Sequence, residues 1–157
     1  MSALENQIQW YEDMVKDTKA KNGGETVPSL LFFHIPVPEF QEAWDALEAG
    51  SPDAKKFDAE RWESNEGVAA PKYNSHFFDK VVELGSSKGI FVGHDHINSW
   101  AIEYKGVLLS YGITSTDRVY RDVELMGGQV ISMDSTNKIT LERYFHTYGE
   151  LGVESWY

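Results

Sequence analysis

Gly89-Ile90-Phe91-Val92-Gly93-His94-Asp95-His96-Ile97-Asn98 is the stretch from which the fold of this chain is read. Its first half is a short unbroken apolar run, the pattern of a strand covered on both faces. Its second half crowds two imidazoles and a carboxylate into the turn that follows, and Gly93 gives the backbone freedom to turn sharply. A second run of the same kind lies upstream. Pro28-Ser29 leads into Leu30-Leu31-Phe32-Phe33, which predicts another doubly covered strand, and the run stops at His34-Ile35-Pro36-Val37-Pro38. Two prolines at alternate positions cannot continue a ladder of hydrogen bonds, so the chain leaves the strand at His34.

Helical patterns surround these strands. Leu4, Ile8, Tyr11 and Val15, widened by Trp10 and Met14, recur at helical spacing. Ser2 and Glu5 fit a capping box for that helix, and Asn22-Gly23-Gly24 stops it. Residues 39–47 restart a helix that Gly50-Ser51-Pro52 closes. Asn74-Ser75 caps a third, from about His76 to Leu84, with Phe77, Phe78, Val81 and Val82 facing inward. Residues 51–73 are charged and aperiodic and read as a long surface loop. Beyond Asn98, strand-like runs at 99–104, 106–111, 129–133 and 139–144 alternate with turn residues, and Lys105-Gly106 and 134–137 read as hairpin turns. The order predicts an α/β fold: a mixed sheet covered by helices, with an antiparallel meander at the C-terminal end.

Composition narrows the function. The chain has 157 residues, a net charge of −11 and no cysteine. One domain is the natural reading at this length. The missing cysteines exclude disulfides, thiolate metal sites and a cysteine nucleophile. The acidic excess argues against nucleic-acid binding. No apolar run approaches the ~20 residues that span a membrane, and residues 1–22 lack the apolar core of a signal peptide, so the cytoplasm is the default compartment. No phosphate-cradling glycine loop and no Gly-x-Ser-x-Gly elbow occurs. Asp53, Asp58, Glu60, Glu63 and Glu66 read as a solvated acidic loop.

The chemistry concentrates in the histidines. His34 follows the first apolar strand, and His94 and His96 follow the second. Sites in open α/β sheets form beyond the carboxyl ends of strands, so matched strand ends can bring these three imidazoles together. The i, i+2 spacing in His94-Asp95-His96 places both rings on one side of an extended backbone, with Asp95 opposite. Imidazole ligates zinc, iron, nickel and copper, and outer carboxylates orient it. His34, His94 and His96 are therefore the candidate metal ligands. His76 and His146 read as surface, capping or packing residues.

These residues also carry a resemblance. The runs Phe33-His34-Ile35-Pro36-Val37-Pro38-Glu39-Phe40, Glu66 to Pro71 with Asn74-Ser75, Phe91-Val92-Gly93-His94-Asp95-His96-Ile97-Asn98 and Tyr111-Gly112-x-Thr114 occur in order. Together they resemble the calcineurin-like metallophosphoesterases, in the purple-acid-phosphatase-related branch. The resemblance implies a four-layer α/β/β/α sandwich with two metal ions, of the iron, zinc or manganese type. His34 and His94 would bind one ion and His96 the other, with Asp95 and Asn98 orienting ligands or shaping loops. The implied activity is hydrolysis of phosphate esters, on small molecules or phosphoproteins, by metal-bound hydroxide.

The departures are as informative. The family's Asp-x-His, Gly-Asp-x-x-Asp and Gly-Asn-His motifs are absent from this chain. The resemblance thus covers the C-terminal half of such a domain. A two-metal site needs a bridging carboxylate to offset the repulsion of its ions, so weak or no hydrolysis is expected from this half. Half of a sandwich also exposes apolar faces, which predicts a homo-oligomer that covers them. Two further functions stay open: a non-catalytic binding or assembly module holding at most one metal, and an unrelated enzyme with three histidines around a single ion.

Overall fold

Parallel pairing of the two apolar runs organises the chain. The computed structural model describes residues 3–116 and 118–146. In order these form α1 (Ala3–Lys21), β1 (Ser29–Phe32), α2 (Glu39–Glu48), β2 (Ala54–Lys56), α3 (Phe77–Leu84), β3 (Ser87–Val92), β4 (Ala101–Tyr104), β5 (Val107–Tyr111), β6 (Gly127–Met133) and β7 (Ile139–Phe145). β1 and β5 flank β3 in parallel, β4 joins β5 antiparallel, and β2 joins β4 antiparallel. The strand order is β1-β3-β5-β4-β2, and β6 with β7 makes a separate two-stranded sheet.

Side-chain alternation along the strands sets the layers. Ile90, Val92, Leu109 and Tyr111 face one way and pack with Tyr11 and Val15 of α1, Phe40 of α2 and Phe78 and Val81 of α3. Phe91, Ala101 and Leu108 face the other way, against Ile131, Ile139 and Leu141 of the hairpin. Each large side chain fully buried here contributes about 1.5–3 kcal/mol. The described residues thus form three layers: helices, mixed sheet and hairpin. At the start of the hairpin Gly127 is obligatory, since a Cβ there would lie 1.9 Å from the Tyr144 carbonyl oxygen. The Lys105-Gly106 turn joins β4 to β5 with φ +49° and +78°, the left-handed pair that suits a two-residue hairpin. Among the described residues no helix is long and apolar enough to cross a membrane.

Several expectations need correction. β1 is an edge strand covered on both faces only in part, with Leu31 packed on the helix side and Leu30 on the hairpin side. Phe32 is 63% exposed, and a cleft of about 520 Å³ separates it from Gln129 and Ile131, because the hairpin stops short of it. The loop at 51–73 contains a strand, β2, whose three residues are too few to show alternation. The C-terminal strands are two hairpins on different sheets and not one meander. Val82 and Trp10 turn outward although they flank the apolar stripes of their helices. The Ser2–Glu5 cap lies outside the described residues.

Arg143, on β7, is an unexpected part of this architecture. It is only 6% exposed. Nε donates to Gln129 Oε1 at 2.7 Å, Nη1 to the Glu60 carbonyl at 2.7 Å and Nη2 to the Ser99 carbonyl at 2.5 Å. Burial lowers its pKa to about 10, which still leaves it charged at neutral pH.

Candidate metal centre

The ends of β1 and β3 converge because their pairing runs past the regular strands. Phe33 N–H donates to the Phe91 carbonyl at 3.1 Å, and Gly93 N–H donates to the His34 carbonyl at 3.0 Å. His34 is held so close to Gly93 that a Cβ at 93 would lie 3.4 Å from its Nδ1. The chain then turns back. Asp95 N–H reaches the Gly93 carbonyl at 2.9 Å, and His94, at the centre of that turn, has φ +72°. Non-glycine residues in the left-handed region are uncommon and cluster at functional sites. This turn brings His94 Nδ1 to 3.3 Å from His34 Nε2, with ring centroids 5.1 Å apart and planes at 82°.

As they stand, the two nitrogens share a hydrogen bond, one protonated and the other bare, and the same spacing can be compared with that of two ligands on one ion. Imidazole nitrogens are ligands for borderline divalent ions. Two nitrogens each ~2.0–2.1 Å from one tetrahedral ion lie roughly 3.3–3.4 Å apart, which is the separation seen. His34 is exposed and His94 half-buried, so the pair opens to solvent.

His96 does not join them. The His94-Asp95-His96 segment is a turn and not the extended backbone expected, and the His96 ring stacks on Tyr120 at 4.4 Å and 25°. Its Nδ1 lies 2.9 Å from the Tyr120 carbonyl. Among the described residues, no group of three or more His, Cys, Asp or Glu is placed to hold one ion.

Asp95 and Asn98 are both buried and tie the neighbouring loop to the sheet end. Asn98 Oδ1 accepts from Asn65 N–H and Glu66 N–H, each at 3.1 Å. Asp95 Oδ2 accepts from Ala69 N–H at 3.2 Å and from the buried hydroxyl of Tyr111. Burial, reinforced by the Asp95 carboxylate, pushes the Tyr111 hydroxyl far above its ordinary pKa. Glu66 is not a solvated loop residue. Its Oε1 accepts from Ile97 N–H and its Oε2 from the Tyr120 hydroxyl, both at 2.9 Å. Desolvation, then this bond to Glu66, raises the Tyr120 pKa.

The remaining histidines stand apart. His76 is exposed at the start of α3 with Nδ1 3.0 Å from Asp79, and His146 is an exposed residue after β7. Sequence reasoning did not single out Tyr120, which shows no periodicity or motif. Tyr111 closes the strand-like run 106–111 and opens Tyr111-Gly112-x-Thr114, whose Thr114 hydroxyl donates to the His96 carbonyl at 2.8 Å.

With this geometry in hand, comparison with known proteins gives three relatives from Arabidopsis thaliana. "Probable inactive purple acid phosphatase 14" is 35% identical over 112 residues, 68% of this chain and 25% of the relative. "Probable inactive purple acid phosphatase 29" is 41% identical over 85 residues, 54% of this chain and 19% of the relative. "Probable inactive purple acid phosphatase 28" is 32% identical over 108 residues, 69% of this chain and 24% of the relative. The chain therefore matches a quarter or less of each relative's length. No family model matches it, and no solved structure matches it significantly.

Proposed function

Because the chain belongs to the purple-acid-phosphatase-related metallophosphoesterases, we propose that it carries the histidine-bearing part of a phosphoesterase metal site, with weak or no turnover of its own. The observation that carries this reading is the His34–His94 pair, 3.3 Å apart at the ends of adjacent parallel strands. A bound iron, zinc or manganese ion would supply positive charge to the phosphoryl oxygens of a phosphate ester. His34 and His94 would hold it, and His96 would face a second. In this reading the helices and mixed sheet are two layers of a four-layer sandwich, with the β6–β7 hairpin part of its second sheet. Among the described residues no carboxylate is grouped with the histidines to bridge two ions, which is the reason to expect little hydrolysis. The relatives' names, each reading "Probable inactive purple acid phosphatase", support the same view.

Elemental analysis after Zn²⁺ loading, followed by turnover of para-nitrophenyl phosphate, tests the proposal. The chain is expected to bind metal, and His34→Ala or His94→Ala to weaken that binding about tenfold or more. Unchanged uptake in both variants would refute the assignment. Vigorous hydrolysis by the chain alone would refute the expectation of low activity.

A second reading, a binding or assembly module, draws on the unpaired edge of β1, where exposed Phe32 stacks on Phe91 at 5.2 Å. Such an edge favours pairing with another chain. Here a second copy would cover it against a charge of −11 per chain, so association is expected to strengthen with salt. Sedimentation should show Phe32→Lys shifted to monomer. A wild-type chain that stays monomeric at high concentration and high salt excludes this reading.

A further inference from the structure

We propose that Tyr120 is a positioning residue that fixes the tautomer and direction of the His96 ring, and that Glu66 holds Tyr120 in place; the proposal rests on the reading of His96 as a metal-facing histidine. The Tyr120 carbonyl oxygen lies 2.9 Å from His96 Nδ1. A carbonyl can only accept, so in the neutral ring Nδ1 carries the proton and the lone pair is left on Nε2. The same residue fixes the ring plane, because the Tyr120 side chain stacks on it at 4.4 Å. One residue thus sets both the proton position and the orientation of the imidazole.

Tyr120 is 57% exposed, so burial in the core does not account for its placement. Its place comes from Glu66, whose Oε2 accepts the Tyr120 hydroxyl while Oε1 accepts Ile97 N–H, the amide next to His96. The contacts close a ring from Glu66 through Ile97 and His96 to Tyr120 and back to Glu66. Thr114 adds a fourth tie at the His96 carbonyl. His34 and His94 lack this arrangement. Their nitrogens face each other, and among the described residues no carbonyl dictates which one holds the proton. Partners of this kind on a histidine ligand raise its basicity and fix its direction.

The test is the long-range ¹H–¹⁵N spectrum of histidine side chains in the metal-free 157-residue chain, at about pH 9, above the ~6.5 of a free imidazole. His96 is expected to show a protonated Nδ1 and a bare Nε2. Tyr120→Ala keeps the backbone carbonyl but removes the stack and the tie to Glu66 that hold it against His96, and is expected to move the ring toward the tautomer mixture of free imidazole. Tyr120→Phe keeps the stack but loses the bond to Glu66, and should fall between. A wild-type His96 protonated at Nε2 overturns the proposal, as does a His96 signal indifferent to Tyr120→Ala. Should Tyr120→Ala fail to fold, the wild-type spectrum and Tyr120→Phe still decide. Zn²⁺ titration of the same samples, read at the His96 signals and not at the His34–His94 pair, is expected to need about tenfold more Zn²⁺ to shift His96 in Tyr120→Ala. If the wild type takes up no Zn²⁺, the metal reading fails, while the tautomer signals still decide the role of Tyr120.

Discussion

Replacing Tyr111 by phenylalanine is expected to destabilise the fold by about 3 kcal/mol, a loss of roughly 6–12 °C in melting temperature. The ring itself is not what is lost. Phenylalanine keeps the edge contacts to Trp100 at 4.8 Å and Phe40 at 5.3 Å. What goes is the hydroxyl that donates to Asp95. Asp95 is buried, its Oδ1 already has no partner among the described residues, and Oδ2 would keep only the Ala69 amide there. Removing one partner of a buried charge costs more than removing both. Tyr111→Phe should therefore be nearly neutral in an Asp95→Ala background, and a double-mutant cycle by urea denaturation measures this. Additive effects would show that the two residues do not act as a pair. Because Asp95 also holds Ala69, hydrogen exchange at that amide is expected to rise in Asp95→Ala.

The same bond has a signature at high pH. Burial and Asp95 raise the pKa of Tyr111 in the folded state. A group whose folded pKa is raised contributes stability that is full below its unfolded value, about 10, and is lost as pH climbs above it. Wild type loses that contribution because the unfolded chain ionises there and the native one does not. Tyr111→Phe has nothing to lose. The stability gap between them is expected to be constant below pH ~10 and to narrow above it. Groups common to both proteins cancel in the difference.

How far the sequence reaches is clearest at the two strand ends. The apolar runs, the prolines after His34 and the Gly93-His94 step are local signals, and they locate the parallel pair and the turn that joins two imidazoles. Lys105-Gly106 is equally local, since only the left-handed φ of both residues closes that hairpin. His96 is different. Its spacing from His94 suggests a shared face, but its ring follows Tyr120, a residue 24 positions away. Phe32 is different for a related reason. Its apolar neighbours predict a covered strand, and whether it is covered depends on how far a hairpin a hundred residues later extends. Glu66 looks like one more loop carboxylate until Ile97 and Tyr120 arrive to donate to it. Residues whose role is set by a partner distant in sequence leave no period and no motif.

Arg143 is the extreme case, and the test of it bears on the site. In Ile139-Thr140-Leu141-Glu142-Arg143 it shares the inward face of the strand with Ile139 and Leu141, where an apolar side chain is expected and a charge is not. Its guanidinium is buried against carbonyls from residues 60, 61 and 99 and the side chain of Gln129. Replacing a buried charge by an apolar side chain is often neutral, because the desolvation cost disappears along with the bonds. The Arg143 partners argue otherwise. The Ser99 carbonyl belongs to a fully buried residue, and methionine would leave it without a donor. Arg143→Met is therefore expected to cost about 2–3 kcal/mol in thermal or urea unfolding, and Arg143→Lys somewhat less. A change below ~0.5 kcal/mol would mean that water replaces the guanidinium freely. The effect should travel. Ser99 N–H donates to the Glu63 carbonyl at 2.9 Å, and its Oγ accepts Glu63 N–H at 3.0 Å while donating to the Arg61 carbonyl. These bonds hold the strand-side end of the loop whose next residues, Asn65 and Glu66, Asn98 ties to the sheet end. In Arg143→Met, faster hydrogen exchange is expected first at Glu63 and Ser99 and then at Glu66. Protection lost only within β6 and β7 would confine Arg143 to the hairpin and detach it from the site.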